Sequence, residues 1–99
     1  MPAVTQQSIV DQATGPLAAE VSGEVVLMSL ERGQYYGLDD IGSHIWSQIA
    51  QPVRVADLVA RLAAEYDGDP AVIESDVLDL LNRLLDHGLL ALRTPPPAG

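Results

Sequence analysis

The sequence contains no cysteine, and its five basic residues are all arginine. The first absence removes disulfides, thiolate chemistry and cysteine-ligated metals, and it fits a reducing compartment. No apolar run approaches the roughly 20 residues of a membrane span. The opening MPAVTQQSIV lacks the basic segment and long apolar core of a signal peptide, so a cytoplasmic location without membrane attachment is expected. Signatures of chemistry are missing as well. There is no phosphate-cradling glycine loop, no nucleophile elbow and no zinc motif. His44 and His87 lie far apart and carry no ligand spacing. Neither catalysis nor a cofactor or metal is expected. Positive charge is scarce: 14 acidic residues stand against 5 basic ones, a net −9, and Arg32, Arg54, Arg61, Arg83 and Arg93 are scattered along the chain. Such a chain repels phosphate backbones, so nucleic acid is not an expected partner.

What remains is one small globular domain. Ninety-nine residues, 47% of them hydrophobic, leave room for a single core. Residues 1–7 are polar and read as a flexible N-terminus, residues 8–92 as the domain, and residues 93–99 as a Pro-rich flexible tail. Ser8 to Asp11 is a short extended piece. Leu17 to Val21 reads as a strand, Ser22-Gly23 as a two-residue hairpin turn and Glu24 to Leu30 as the strongest strand of the chain.

The stretch ERGQYYGLDDIGSHIW, Glu31 to Trp46, organises the remainder. Gly33 supplies the positive φ a tight turn needs. Gln34 to Leu38 alternate around Tyr35 and Tyr36, as a half-buried strand does. Asp39 or Asp40 then caps a helix reaching about Ala50, whose apolar side is Ile41, Ile45, Trp46 and Ile49. A strand that turns directly into a helix is a candidate sheet edge, open to a further strand from a partner. Val55, Leu58, Val59, Leu62 and Tyr66 mark a second helix. Asp69-Pro70 starts a third, which Gly88 stops, and Leu89 to Leu92 read as a short final strand. The expected fold is therefore α+β: a three-stranded antiparallel sheet followed by three helices, on the winged helix-turn-helix plan.

The third helix is apolar over a wide arc. Ile73, Val77, Leu80 and Leu84 fall within about 60° of one another, and Leu78, Leu81 and Leu85 widen the arc to roughly 160°, with Glu74 inside the added flank. The first set packs on a core. Leu81 in the second is read as a groove wall.

Gly33-Gln34-Tyr35-Tyr36-Gly37-Leu38-Asp39, then Gly42, Ile45 and Trp46, then Val55–Leu62, Tyr66, Asp76-Val77 and Gly88-Leu89-Leu90, resemble the PqqD family in order and spacing. The likeness runs from about Ser8 to Leu92 and is greatest to the stand-alone leader-binding proteins of lasso-peptide clusters. The resemblance implies a non-catalytic recognition domain for precursors of ribosomally made, modified peptides. In that family the precursor's leader adds as a strand to the third strand of the sheet, in a groove walled by the third helix. The bound precursor is then presented to an enzyme, a leader peptidase in lasso clusters or a radical enzyme in the quinone pathway. Carried onto this chain, the pairing strand is Gln34, Tyr35, Tyr36, Gly37 and Leu38. The helix contributes Glu74, Val77, Leu80, Leu81 and Leu84, with Asp76 and Arg83 as rim charges. Without a leader, the edge strand is open to pairing with a second copy. Two other readings stand beside this one: a DNA-binding winged helix, disfavoured by Asp76, Asp79 and Asp86 on the third helix, and a structural subunit of a modifying complex.

Overall fold

The hairpin turn at Ser22-Gly23 forms as read, with φ of 54° and 86°, the two positive values of the tight turn that matches strand twist. It joins β2 (Leu17–Val21) to β3 (Glu24–Ser29), and β3 continues through a second turn into β4 (Gln34–Gly37). These strands form one antiparallel sheet in the order β2-β3-β4. The register sets Leu17 opposite Met28 and Met28 opposite Tyr35, and sets Ala18, Leu27 and Tyr36 in the adjacent row. Leu27 is fully buried, so its row faces the core and the Leu17–Met28–Tyr35 row faces outward. The computed structural model from which these features are taken describes residues 3–93.

Three helices follow: α1 (Asp40–Gln48), α2 (Val55–Glu65) and α3 (Pro70–Asp86). Their starts follow the capping chemistry of the sequence. Asp39 accepts from the Gly42 N–H at 2.7 Å, and Asp69 accepts from Ala71 at 2.9 Å with Pro70 at the first helical position. Replacing Asp69 by Ala is expected to lower stability by about 1 kcal/mol in a denaturant titration. At the other end of α3, Gly88 takes φ 74° while the Leu89 N–H reaches back to the Leu84 carbonyl at 2.8 Å, closing the helix with a left-handed glycine.

The single sheet expected from the sequence is one of two. A second antiparallel sheet has β1 (Ile9–Gln12) at its centre, with β5 (Val53–Arg54) and β6 (Leu90–Arg93) beside it. Leu89 to Leu92 therefore find their partner in the extended piece near Ser8–Asp11, which is not an isolated segment. Arg93, assigned to the tail, instead belongs to β6. Its guanidinium grips Asp11 at 2.9 and 2.8 Å, and that hydrogen bond, reinforced by the charge of Asp11, raises the Arg93 pKa. The rest of the Pro-rich tail, 94–99, lies outside the described residues, as do residues 1 and 2.

The N-terminal segment also differs from its expected looseness. Val4 is buried, its N–H donates to Asn82 Oδ1 of α3 at 2.9 Å, and Gln6 bonds to Glu74. The Gln6 and Ser8 carbonyls accept from Ala56 and Val55 at 3.0 and 2.9 Å, satisfying two orphan donors at the start of α2. The core lies between the two sheets and the helices and is built from Leu27, Ile45, Ile49, Leu58, Leu62, Leu81 and Leu89.

Candidate peptide-binding cleft

β4 pairs with β3 alone, and among the described residues no backbone hydrogen bond reaches its other edge. The alternation of an antiparallel ladder says which groups that edge offers. The Leu38 N–H donates to the Val25 carbonyl at 2.8 Å, so Leu38 points its backbone at β3, and Tyr36 and Gln34 in the same phase do likewise. Tyr35 and Gly37 therefore present their N–H and C=O groups outward. The first of these has its ring on the outer face of the sheet, 69% exposed. The ring of Tyr36 turns toward α3. Its hydroxyl donates to Gln34 Oε1 at 2.7 Å and lies 3.1 Å from His87 Nδ1, with the two ring centroids 4.5 Å apart. This contact ties β4 to the end of α3.

Beside the last residues of β4, the chain encloses a cleft of about 300 Å³ lined by Gly37, Leu38, Asp39, Ile41, Gly42, Ile45, Asp76, Asp79, Leu80 and Arg83. One wall is the start of α1 and the other is the outer flank of α3. Ser43 joins α1 to the sheet: its hydroxyl accepts from the Val25 N–H at 2.8 Å and donates to the Leu38 carbonyl at 3.3 Å. The position of β4 relative to α1 is thus set by a buried hydroxyl as well as by packing. Charge in the cleft is mainly negative. Asp76 and Asp79 are exposed at its rim, Asp39 is engaged as a helix cap, and Arg83 is the one lining cation.

Of the helix residues expected here, Leu80, Asp76 and Arg83 are brought to the cleft together with Gly37 and Leu38. Four are not. Leu81 is 0% exposed, Val77 1% and Leu84 3%, so these three are core residues and wall no groove. Glu74 sits on the other flank of α3, bonded to Gln6 of the N-terminal segment. The reason is angular. Val77, Leu81 and Leu84 define the buried direction of α3; Leu80, Arg83 and Asp76 lie about 60–120° to one side of Val77, and Glu74 lies about 60° to the other. The apolar arc is wide because the N-terminal segment covers its far flank, not because a groove opens there. Sequence reasoning missed Asp39, Ile41, Gly42 and Ile45 as cleft lining, and Asp79, which it left on the solvated face of the third helix. A strand entering a helix directly, with Asp39 as its cap, brings the first turn of that helix beside the strand end and was the available signal.

The outer face of the β2-β3-β4 sheet is apolar and is covered by none of the described residues. Leu17 and Val21 of β2 are 54% and 58% exposed, next to Val26, Met28 and Tyr35. Among the described residues there is no group of three or more His, Cys, Asp or Glu side chains placed to hold a metal ion, and no helix long and apolar enough to cross a membrane.

The family model for coenzyme PQQ synthesis protein D (PqqD) matches residues 24–90. No curated protein sequence matches the chain. Among solved structures, the chain is similar to TbiB1 in complex with the TbiA(beta) leader peptide. The two share 36% identity with a TM-score of 0.74, over 81% of this chain and 93% of that one. It is also similar to the PqqD truncation of Methylobacterium extorquens PqqCD, described as a functional and stand-alone recognition element for ribosomally synthesised and post-translationally modified peptides. That likeness has 24% identity and a TM-score of 0.75 over 90% and 95% of the two chains. A third likeness, to lasso peptide synthetase B1 complexed with the leader peptide, has 22% identity and a TM-score of 0.74 over 83% and 96%. The last two speak for the fold alone. The family model spans well over half of the chain, TbiB1 agrees with it at higher identity, and this chain belongs to the PqqD family.

Proposed function

We propose that this protein binds the leader segment of a ribosomally made precursor peptide by strand addition to β4 and presents it to a processing enzyme, a leader peptidase of the lasso-peptide kind, in the cytoplasm. The observation that carries the reading is the free edge of β4, with Tyr35 and Gly37 offering their backbone groups beside the cleft of α1 and α3. The strand-addition mode needs such an edge for affinity and adjoining pockets for specificity. The role is recognition without catalysis.

Magnitudes divide the work between edge and cleft. Two outward residues exchange about four backbone hydrogen bonds with an added strand, each worth a net ~0.5–1.5 kcal/mol, or roughly 2–6 kcal/mol together. Micromolar binding needs about 8 kcal/mol after the disordered leader has been ordered. Apolar contact must supply the difference. Ile41, 49% exposed, and half-buried Leu80 are the apolar surfaces available to leader side chains on that face, with Leu38 and Ile45 buried behind them. The acidic rim at Asp76 and Asp79 favours a leader carrying basic residues near this end.

The overall plan is that of a winged helix-turn-helix, adapted to a peptide and not to a duplex. The outer side of α3 carries Asp76, Asp79 and Asp86 with Arg83, a composition that repels phosphates. The experiment is an amide-resolved NMR titration with the N-terminal half of the precursor encoded beside the gene. Shifts are expected at Tyr35, Gly37 and the Asp76–Arg83 flank of α3. Replacing Leu80 by Ser is expected to weaken binding about tenfold, with the native spectrum otherwise retained. Binding that leaves β4 unshifted, or that ignores the Leu80 substitution, would remove the cleft from the account.

A further inference from the structure

We infer that the free edge of β2 is a self-association site at which two copies of this chain pair strand to strand about a two-fold axis. β2 is the opposite border of the sheet from β4. All five of its residues are exposed on both faces, and among the described residues no hydrogen bond reaches its outer edge. Nothing described therefore obstructs an approaching strand, and the usual protections of an edge are weak here. There is no proline or lysine within the strand and only one charge, Glu20.

The sequence of the strand selects the occupant. Carrying the ladder alternation from β4 through β3 to β2, Leu17, Ala19 and Val21 point their backbone at β3, and Ala18 and Glu20 point theirs outward. An antiparallel pair centred on Ala19 sets Ala18 opposite the partner's Glu20 and Glu20 opposite the partner's Ala18. Each such pair exchanges two hydrogen bonds, so every outward backbone group of the strand is satisfied. On the outer face the same register sets Leu17 against the partner's Val21, and Val21 against the partner's Leu17, covering two apolar side chains that are 54% and 58% exposed in the single chain. On the other face Glu20 meets a methyl group and not a second carboxylate. LAAEV is thus self-complementary in side chains and in hydrogen bonds, as an isologous contact requires.

The product is a continuous six-stranded sheet with β4 at both ends. Each proposed leader edge stays free, in contrast to a dimer formed through β4 itself. Net charge opposes the association, because each copy carries −9. Salt screens that repulsion, so the dimer is favoured at higher ionic strength, the reverse of an association held by ion pairs.

The test is sedimentation velocity on the whole chain, from about 10 μM to about 1 mM at low and at high salt. A reversible dimer is expected, its fraction rising with concentration and with salt. Ala18 is exposed, so its substitution leaves the folded monomer intact. Ala18→Glu places a carboxylate opposite the partner's Glu20 twice per dimer and is expected to abolish association. Ala18→Lys places an ammonium there and is expected to strengthen it at least several-fold. A chain that stays monomeric throughout, or equal association by the two variants, would overturn the proposal. So would a dimer dispersed by the precursor's N-terminal half, since that result assigns the contact to β4. The two Ala18 variants decide the question even if that peptide does not bind.

Discussion

Tyr35→Pro is expected to weaken leader binding about 10- to 100-fold while the protein stays folded, and Tyr35→Ala to change it less than about threefold. The contrast isolates the backbone. Proline removes the outward N–H of Tyr35, leaving a leader carbonyl without its donor when the strand docks, and an unpaired acceptor costs about 1–3 kcal/mol. Alanine keeps the N–H and deletes only a ring on the outer face, away from the cleft. An edge position tolerates proline because that N–H has no partner among the described residues. The neighbouring substitution behaves differently. Tyr36→Pro removes a donor that faces Leu27 of β3, and with it the ring that ties β4 to His87, so it damages the sheet itself. Isothermal titration beside circular dichroism of the three variants separates these outcomes. Equal loss for Tyr35→Ala and Tyr35→Pro would mean that the ring, and not the edge, is what the leader reads.

The second large effect is on stability. Leu81→Ala is expected to cost about 2–5 kcal/mol, because Leu81 is fully buried in the core and its truncation leaves a cavity that neighbours fill only in part. For a domain of this size each kcal/mol lowers Tm by roughly 4–8 °C. Leu80→Ala, one residue away and half-buried, is expected to cost under about 1.5 kcal/mol and to show its effect in leader affinity. Reading Leu81 as a groove wall predicts the reverse order. Denaturant titrations of the two variants distinguish the readings, and a Leu81→Ala protein with unchanged midpoint would contradict the packing described here.

Much of the fold could be read from local chemistry. Ser22-Gly23, Asp39, Asp69-Pro70 and Gly88 each act within a few residues of themselves, so their signals survive without knowledge of the partner elements. The second sheet could not be read as such. Val53–Arg54 is a strand of two residues, and its partner Ile9–Val10 lies over forty positions away. β6 closes on β1 over a still longer separation. No pattern within so short a run distinguishes a strand from a loop.

The candidate site was half legible, for a geometric reason. Alternation shows that Tyr35 and Tyr36 face opposite ways; only the pairing of Tyr36 with buried Leu27 says which faces inward. Helical period shows that α3 is apolar over a wide arc; only the seat of Val4 against Asn82 says that one flank is already covered. That leaves Leu80 and not Leu81 at the cleft. The direction of an element within the fold belongs to its neighbours, and its own residues do not encode it.

The most direct measurement is amide hydrogen exchange at Tyr35 and Gly37, with and without the precursor's N-terminal half. In the free protein both amides lie on an edge that no described residue pairs with, and they are expected to exchange far faster than Tyr36, whose N–H faces β3. Saturating leader is expected to bring both to protection at least tenfold greater, with little change at Tyr36. Strand addition to β4 predicts that pattern. Saturated binding that leaves Tyr35 and Gly37 exchanging as in the free protein would contradict it.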